Sequence, residues 1–125
     1  MPDQNSADVF VPFFGVPTGT VAGPASLALH TRVPLLFAAC VREPDDRYRL
    51  IFLPPIDTTP SENGSGGDVA RVMTEVNRAL ESVIRRYPEQ WLWLHGRWRA
   101  SFEDKHRRHW PDDLDFEAFA RRWRG

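Results

Sequence analysis

The chain is 125 residues long, with 42% hydrophobic and 26% charged residues and a formal net charge of −1. This length allows one domain with a single core, and the composition is that of a globular rather than a disordered protein. The net charge gives no indication of a nucleic-acid partner. The single cysteine, Cys40, excludes an intramolecular disulfide framework, and its apolar flanks predict a buried structural thiol. The longest apolar run, residues 33–41, is much shorter than the ~20 residues of a membrane span.

The first residues of the chain predict an extended segment, a loop and a helix, in that order. Residues 9–14 are apolar but interrupted by Pro12, a pattern typical of an edge strand. Residues 15–23 contain three glycines and predict a loop in which the backbone turns tightly or approaches another group closely. Pro24 fits the first turn of the helix that follows.

Two apolar segments in the middle of the chain predict a β-hairpin. Residues 34–41 are apolar at both alternating positions, which is typical of a strand covered on both faces. Residues 48–53 predict a second strand, and the Pro-Asp-Asp sequence before it supplies the turn.

An amphipathic helix over residues 68–86 is the clearest predicted element. Its apolar residues recur at the i, i+3, i+4, i+7 spacing of one helical face. Asp68 is the predicted N-cap, and Pro88 marks the end of the helix. Residues 101–125 are a polar tail with a short apolar stripe that predicts a terminal helical segment. The predicted class is therefore α/β, with a short mixed sheet (the hairpin near 34–53) packed by the amphipathic helix.

Familiar catalytic and cofactor motifs are absent from the sequence. There is no GxxxxGK[ST], GxGxxG, HExxH or CxxC, and none of the four histidines begins an HxxxxD or HxxxxE pair. The histidines also lack the spacing of a metal site. We therefore expect neither a cofactor nor a metal ion.

The segment "RRYPEQWLWLHGRWRAS" interleaves aromatic and charged residues and permits more than one interpretation. The tryptophans fit core and rim packing. Arg97 and Arg99 fit contact with an anionic ligand, because guanidinium groups bind phosphate through paired donors. Stacking tryptophans beside arginines also suit single-stranded nucleic acid. The acidic "PDDLDFE" nearby and the net charge argue against that third interpretation.

Three sequence elements carry a resemblance to a known family. "PDQ" at residues 2–4, "VFVPFFGVPTGTVAGPASLA" and the closing "YPEQWLWLHGRWR" resemble, in this order, the C-terminal half of the bacterial lipid A biosynthesis acyltransferases. The chain departs from the family pattern at three positions: Thr18 replaces the usual alanine, Gly96 an arginine and Trp98 a phenylalanine. Gly96 removes one basic side chain from the closing motif.

The resemblance implies a membrane-bound enzyme that moves a fatty acyl chain from acyl carrier protein to a lipid A precursor. The reaction would take place on the cytoplasmic face of the cell inner membrane. The family's HxxxxD/E dyad precedes the PDQ element, so we expect a truncated frame or fragment with no catalytic residue of its own. Residues 1–100 would then be the C-terminal part of an acyltransferase domain, with residues 101–125 as a tail.

The resemblance, together with side-chain chemistry, predicts that substrate-binding residues line one wall of a cleft. They are Asp3, Gln4, Phe13, Phe14, Gly15, Thr20, Gly23, Arg42, Glu89, Gln90, His95 and Arg97. Arg42 and Arg97 are expected to face phosphate or sugar. A phosphatidylinositol mannoside-type acyltransferase of the same family and a non-catalytic lipid- or protein-interaction module remain alternatives.

Overall fold

The computed structural model describes residues 8–61, 65–94 and 96–124, and these ranges form four strands and three α-helices. In chain order they are β1 (Val9–Phe13), β2 (Val16–Thr20), α1 (Gly23–Thr31), β3 (Ala38–Arg42), β4 (Tyr48–Phe52), α2 (Ser65–Arg86) and α3 (Phe116–Arg124). Short 3₁₀ helices cover Pro88–Gln90, Arg99–Phe102 and Asp104–His109. The predicted α/β class is confirmed. Its sheet component consists of two antiparallel hairpins in place of one short mixed sheet.

β1 and β2 form the first hairpin, with Val9 opposite Thr20 and Phe13 opposite Val16. Phe14 and Gly15 make the turn, with φ of 49° and 77°. Positive φ at both central residues is the geometry of the two-residue turns that match strand twist. The loop predicted over residues 15–23 is therefore wrong. Only one of its three glycines serves a turn, and the others lie in β2 and at the start of α1.

α1 and α2 cover the first hairpin and enclose the main core. Pro24 occupies the first turn of α1, as predicted. α2 begins at Ser65, so Asp68 lies inside the helix and is not the N-cap; its Oδ2 accepts the Ser61 N–H at 2.9 Å. The buried core combines β1, α1, α2 and one residue after the second hairpin: Val11, Ala25, Ile56, Val72, Met73 and Val76. The amphipathic helix therefore packs mainly on the first hairpin, which the sequence did not predict as its partner.

β3 and β4 form the predicted second hairpin, with Ala38 opposite Phe52 and Arg42 opposite Tyr48. One face contacts the body of the protein, where Val41 is buried. The other face is open, and we call it the outer hairpin face; it comprises Ala38, Cys40, Arg42, Tyr48, Leu50 and Phe52. The last three side chains are 69%, 62% and 65% exposed. The predictions of a strand covered on both faces and of a buried Cys40 are wrong for this chain, because none of the described residues packs over this side.

The C-terminal segment forms a second, smaller core against the first hairpin. Buried Phe102, Trp110, Phe116 and Ala120 pack together with half-buried Val16, Trp98 and Leu114. The predicted terminal helix is present as α3. Among the helices in the described part of the chain, none combines the length and the apolar character needed to cross a membrane.

Candidate functional site

The two longer sequence motifs meet at the side chain of Arg97. Arg97 follows the closing aromatic stretch and is only 1% exposed. Its Nη1 donates to the carbonyl oxygen of Gly19 at 2.5 Å, and its Nη2 donates to the Thr20 hydroxyl at 3.1 Å. The guanidinium carbon lies 5.1 Å from the centroid of the Phe13 ring, within cation–π range. The closing motif is thus fastened to the end of β2.

Asn77 extends this polar cluster to helix α2. Its amide oxygen lies 3.5 Å from Nη2 of Arg97, and its Nδ2 donates to the Pro12 carbonyl at 2.9 Å. The Thr20 hydroxyl donates in turn to the Thr18 carbonyl at 3.0 Å. Buried polar groups need such partners, since an unsatisfied one costs about 1–3 kcal/mol. We name Thr18, Thr20, Asn77 and Arg97 the Arg97 cluster; it joins β1, β2, α2 and the closing motif.

This geometry corrects the expectation that Arg97 faces an anionic ligand. The guanidinium points into the protein, because its planar donors match a neighbouring hydroxyl and a strand-end carbonyl that would otherwise be buried without a partner. Phe13 is likewise fully buried, and its ring packs against Phe14, Trp91 and Trp98. In the described structure Arg97 and Phe13 therefore belong to the buried interior and do not line the protein surface.

The turn of the first hairpin is held from α2. The Phe14 N–H donates to Glu81 Oε1 at 2.7 Å, and the Arg85 guanidinium lies 4.8 Å from the Phe14 ring centroid. The Trp98 indole donates to the Phe13 carbonyl at 3.3 Å. Phe14 is half-buried and Gly15 exposed, so this turn is an accessible part of the glycine-rich motif.

A polar surface groove lies between the turn of the second hairpin and the segment after α2. We call it the hairpin groove; its open volume is about 520 Å³. It is lined by Arg42, Glu43, Pro44, Asp46, Arg49, Tyr87, Glu89 and Gln90. Three of the predicted substrate-binding residues, Arg42, Glu89 and Gln90, therefore lie together here.

Gln90 fixes one wall of the hairpin groove. Its Oε1 accepts the Arg42 backbone N–H at 2.8 Å, and its Nε2 donates to the Arg42 carbonyl at 3.0 Å. The side-chain amide thus pairs with the end of β3 as a neighbouring strand would. Arg42 forms an ion pair with Asp46, and Arg49 pairs with Glu43 at 2.7 Å and donates to the Tyr87 hydroxyl at 3.0 Å.

The other predicted site residues do not join the hairpin groove. Gly23 is exposed at the start of α1, and Asp3, Gln4 and His95 lie outside the described residues. Asn77 and Tyr87 were missed by sequence reasoning. Asn77 carried a usable signal, because it is a polar residue at a position where the apolar periodicity of α2 predicts burial.

Two histidines of the C-terminal segment enclose an aromatic ring of β1. The Phe10 ring is stacked on His109, with centroids 4.3 Å apart, and lies 4.5 Å from His106. Burial, together with the charges of Arg108 and His106, holds the pKa of His109 below its ordinary value. Within the described ranges, no group of three or more histidine, cysteine or carboxylate side chains is arranged to hold a metal ion.

The mixed α/β fold, with a closing motif fastened to a glycine-containing hairpin, is consistent with part of an acyltransferase domain. The chain belongs to the bacterial lipid A biosynthesis acyltransferase family, which matches residues 1–100. The resemblance found in the sequence motifs is thereby confirmed.

Relatives named as phosphatidylinositol mannoside acyltransferases and relatives named as lipid A acyltransferases both support this family assignment. The chain is 32% identical over 105 residues to a phosphatidylinositol mannoside acyltransferase of Mycolicibacterium smegmatis, covering 84% of this chain and 32% of the relative. It is 33% identical over 96 residues to the lipid A biosynthesis lauroyltransferase of Escherichia coli, covering 75% and 30%. A palmitoleoyltransferase of E. coli is 30% identical over 104 residues, covering 79% and 32%. The chain spans about a third of the length of these relatives.

Proposed function

We propose that this chain forms part of an acyltransferase that transfers a fatty acyl group from acyl carrier protein to a hydroxyl of a glycolipid. The observation that carries the proposal is the family match over residues 1–100, which includes both longer motifs. The acceptor is a lipid A precursor or a phosphatidylinositol mannoside. Relatives named for each class share about a third of their aligned residues with this chain, so they support the two acceptors equally.

The chemistry of acyl transfer to a hydroxyl needs a general base, and this chain has no HxxxxD/E pair to supply one. In the family that the motifs resemble, the histidine takes the proton of the acceptor hydroxyl and the carboxylate orients the histidine. The residues of this chain would build the wall beside that centre. We therefore expect the 125 residues alone to be inactive, since loss of a general base costs roughly 10²–10⁴ in rate.

The second hairpin has the surface chemistry that an amphiphilic substrate requires. Its outer face exposes Tyr48, Leu50 and Phe52, and burying one such side chain contributes roughly 1.5–3 kcal/mol. The hairpin groove lies beside the turn of the same hairpin and is polar. Apolar and polar surfaces on one hairpin are suited to the acyl chains and the headgroup of a glycolipid at the cytoplasmic face of the inner membrane.

A chimera tests the proposed function. Residues 1–100 would replace the matching segment of the E. coli lauroyltransferase, whose remaining residues would supply the catalytic centre. We expect transfer of laurate from acyl carrier protein to a lipid A precursor, and no turnover by the purified 125-residue chain. The same exchange in the M. smegmatis relative, assayed with a phosphatidylinositol mannoside, would identify the preferred acceptor.

The outcome also separates the enzyme from an interaction module. Circular dichroism and proteolysis would show whether each chimera is folded, and the unaltered parent enzyme serves as the positive control. Folded chimeras that are inactive on both acceptors would contradict the acyltransferase proposal and favour a lipid- or protein-interaction role. Turnover by the isolated chain would contradict its expected inactivity.

A further inference from the structure

We infer that the hairpin groove binds the uncharged, hydroxyl-bearing part of a sugar in preference to phosphate groups. The inference rests on the proposed glycolipid acceptor and assigns one portion of it to one surface. Sequence reasoning left phosphate and sugar open for Arg42 and Arg97. The structure favours sugar over phosphate, because it shows which groups of the protein the arginines already bind.

Both arginines of the groove are engaged by carboxylates of the same surface. Arg42 pairs with Asp46, and Arg49 pairs with Glu43 while also donating to Tyr87. A phosphate would have to compete with these carboxylates for the guanidinium donors. Arg97 cannot replace them, because it is buried in the cluster at the end of β2.

A further carboxylate makes the groove net acidic. Glu89 lines it and forms no ion pair within the described residues. The lining thus carries three carboxylates against two guanidinium groups. A phosphate dianion would meet net repulsion there, whereas the interaction of a neutral hydroxyl with the groove does not depend on net charge.

The same side chains suit hydroxyl groups well. Carboxylates accept hydrogen bonds from sugar hydroxyls, and guanidinium groups donate to them, so paired charges present donors and acceptors side by side. Tyr87 and Pro44 add apolar surface against which the C–H face of a sugar ring can lie. Gln90 does not take part directly, since both ends of its amide are bonded to the Arg42 backbone. Its role is to keep the groove open in one shape.

The test compares a matched pair of ligands on the 125-residue chain. Methyl mannoside, its phosphate monoester and inorganic phosphate would each be titrated at low salt while backbone amide shifts are followed by NMR. We expect weak binding of the neutral sugar, with shifts confined to residues of the groove. The phosphate monoester should bind about fivefold more weakly, and the difference should shrink as salt is added.

A charge reversal sharpens the test. Glu89→Lys should remove or invert the preference for the neutral sugar, while Glu75→Lys, a half-buried position on α2 that does not line the groove, should leave it unchanged. Equal or tighter binding of the phosphate monoester by the unaltered chain would overturn the inference, as would the absence of groove shifts with the neutral sugar. Either result would leave the chimera assay unaffected, so the proposed acyltransferase function would stand or fall separately.

Discussion

Replacing Arg97 by methionine is the sharpest perturbation of this fold. Methionine has a similar length and keeps most of the apolar contact with Phe13, but it removes every donor of the guanidinium. The Gly19 carbonyl and the Thr20 hydroxyl then lose their bonds from Arg97 in the interior. The substitution therefore isolates the polar part of the Arg97 cluster.

The expected loss follows from the individual contacts. An orphaned Gly19 carbonyl costs about 1–3 kcal/mol. Thr20 loses less, about 1 kcal/mol, because its hydroxyl still donates to the Thr18 carbonyl. The contact with Asn77 is at the distance limit, and we assign it nothing. The free energy of unfolding should fall by about 2–4 kcal/mol, a large part of the roughly 5–15 kcal/mol of an ordinary domain.

Urea denaturation followed by tryptophan fluorescence measures this loss. Trp91 and Trp98 pack against Phe13 and report on the region directly. The midpoint for Arg97→Met should fall by about 1–2 M. Arg78→Met is the matched control, since Arg78 is exposed and, among the described residues, forms an ion pair only with Glu75; its effect should stay below about 1 kcal/mol.

A double-mutant cycle distinguishes direct contact from general damage. Thr20→Val combined with Arg97→Met should show a coupling of about 0.5–3 kcal/mol, because the two side chains share a hydrogen bond. Equal midpoints for Arg97→Met and the unaltered chain, or zero coupling with Thr20, would refute the structural role assigned to Arg97.

Three further predictions concern the first turn, the C-terminal histidine and the outer hairpin face. Gly15→Val should destabilise the chain by about 1–2 kcal/mol in thermal unfolding, because φ is 77° there, whereas Gly67→Ala, in α2 with no atom near the added Cβ, should be neutral or stabilising. Because the pKa of His109 is lowered in the folded state, the free energy of unfolding should decline as the pH falls below about 6.5. Denaturation at several pH values should show a shallower decline for His109→Phe, and an equally steep decline would contradict the lowered pKa of His109. The double substitution Leu50→Thr and Phe52→Thr should reduce detergent binding and aggregation in size-exclusion chromatography. A monomeric unaltered chain with a sharp unfolding transition in plain buffer would show that the outer hairpin face does not cause aggregation.

Local periodicity predicted the elements that packing within this chain stabilises. The helical pattern located α2 to within a few residues at its start, and the alternating apolar residues with a Pro-Asp-Asp turn located the second hairpin. β2 was missed because proline and glycine interrupt Val16–Thr20, and both residue types are depleted in strands. Its stability comes from pairing with β1 and from the Arg97 cluster. The second of these joins residues far apart in the sequence, which no local pattern encodes.

The candidate site was predictable in composition but not in geometry. Motif position brought Arg42, Glu89 and Gln90 into one list, and the structure places them in one groove. The same reasoning grouped Arg97 with them, because a sequence shows an arginine's charge but not the direction of its side chain. Burial distinguishes the two arginines: Arg42 contributes to a surface, and Arg97 supports the interior of the protein.

The outer hairpin face links the fold to the proposed function. Residues 34–41, apolar at both alternating positions, predicted a strand covered on both faces, yet Cys40 of this strand and the opposing Leu50 and Phe52 are exposed in the described chain. Apolar side chains at such regular positions are typical of a surface that is buried against something. In the proposed acyltransferase that cover would come from the rest of the catalytic domain, from lipid, or from both. A chimera that restores activity and also loses the detergent binding of the isolated chain would point to the catalytic domain, whereas persistent detergent binding would point to lipid.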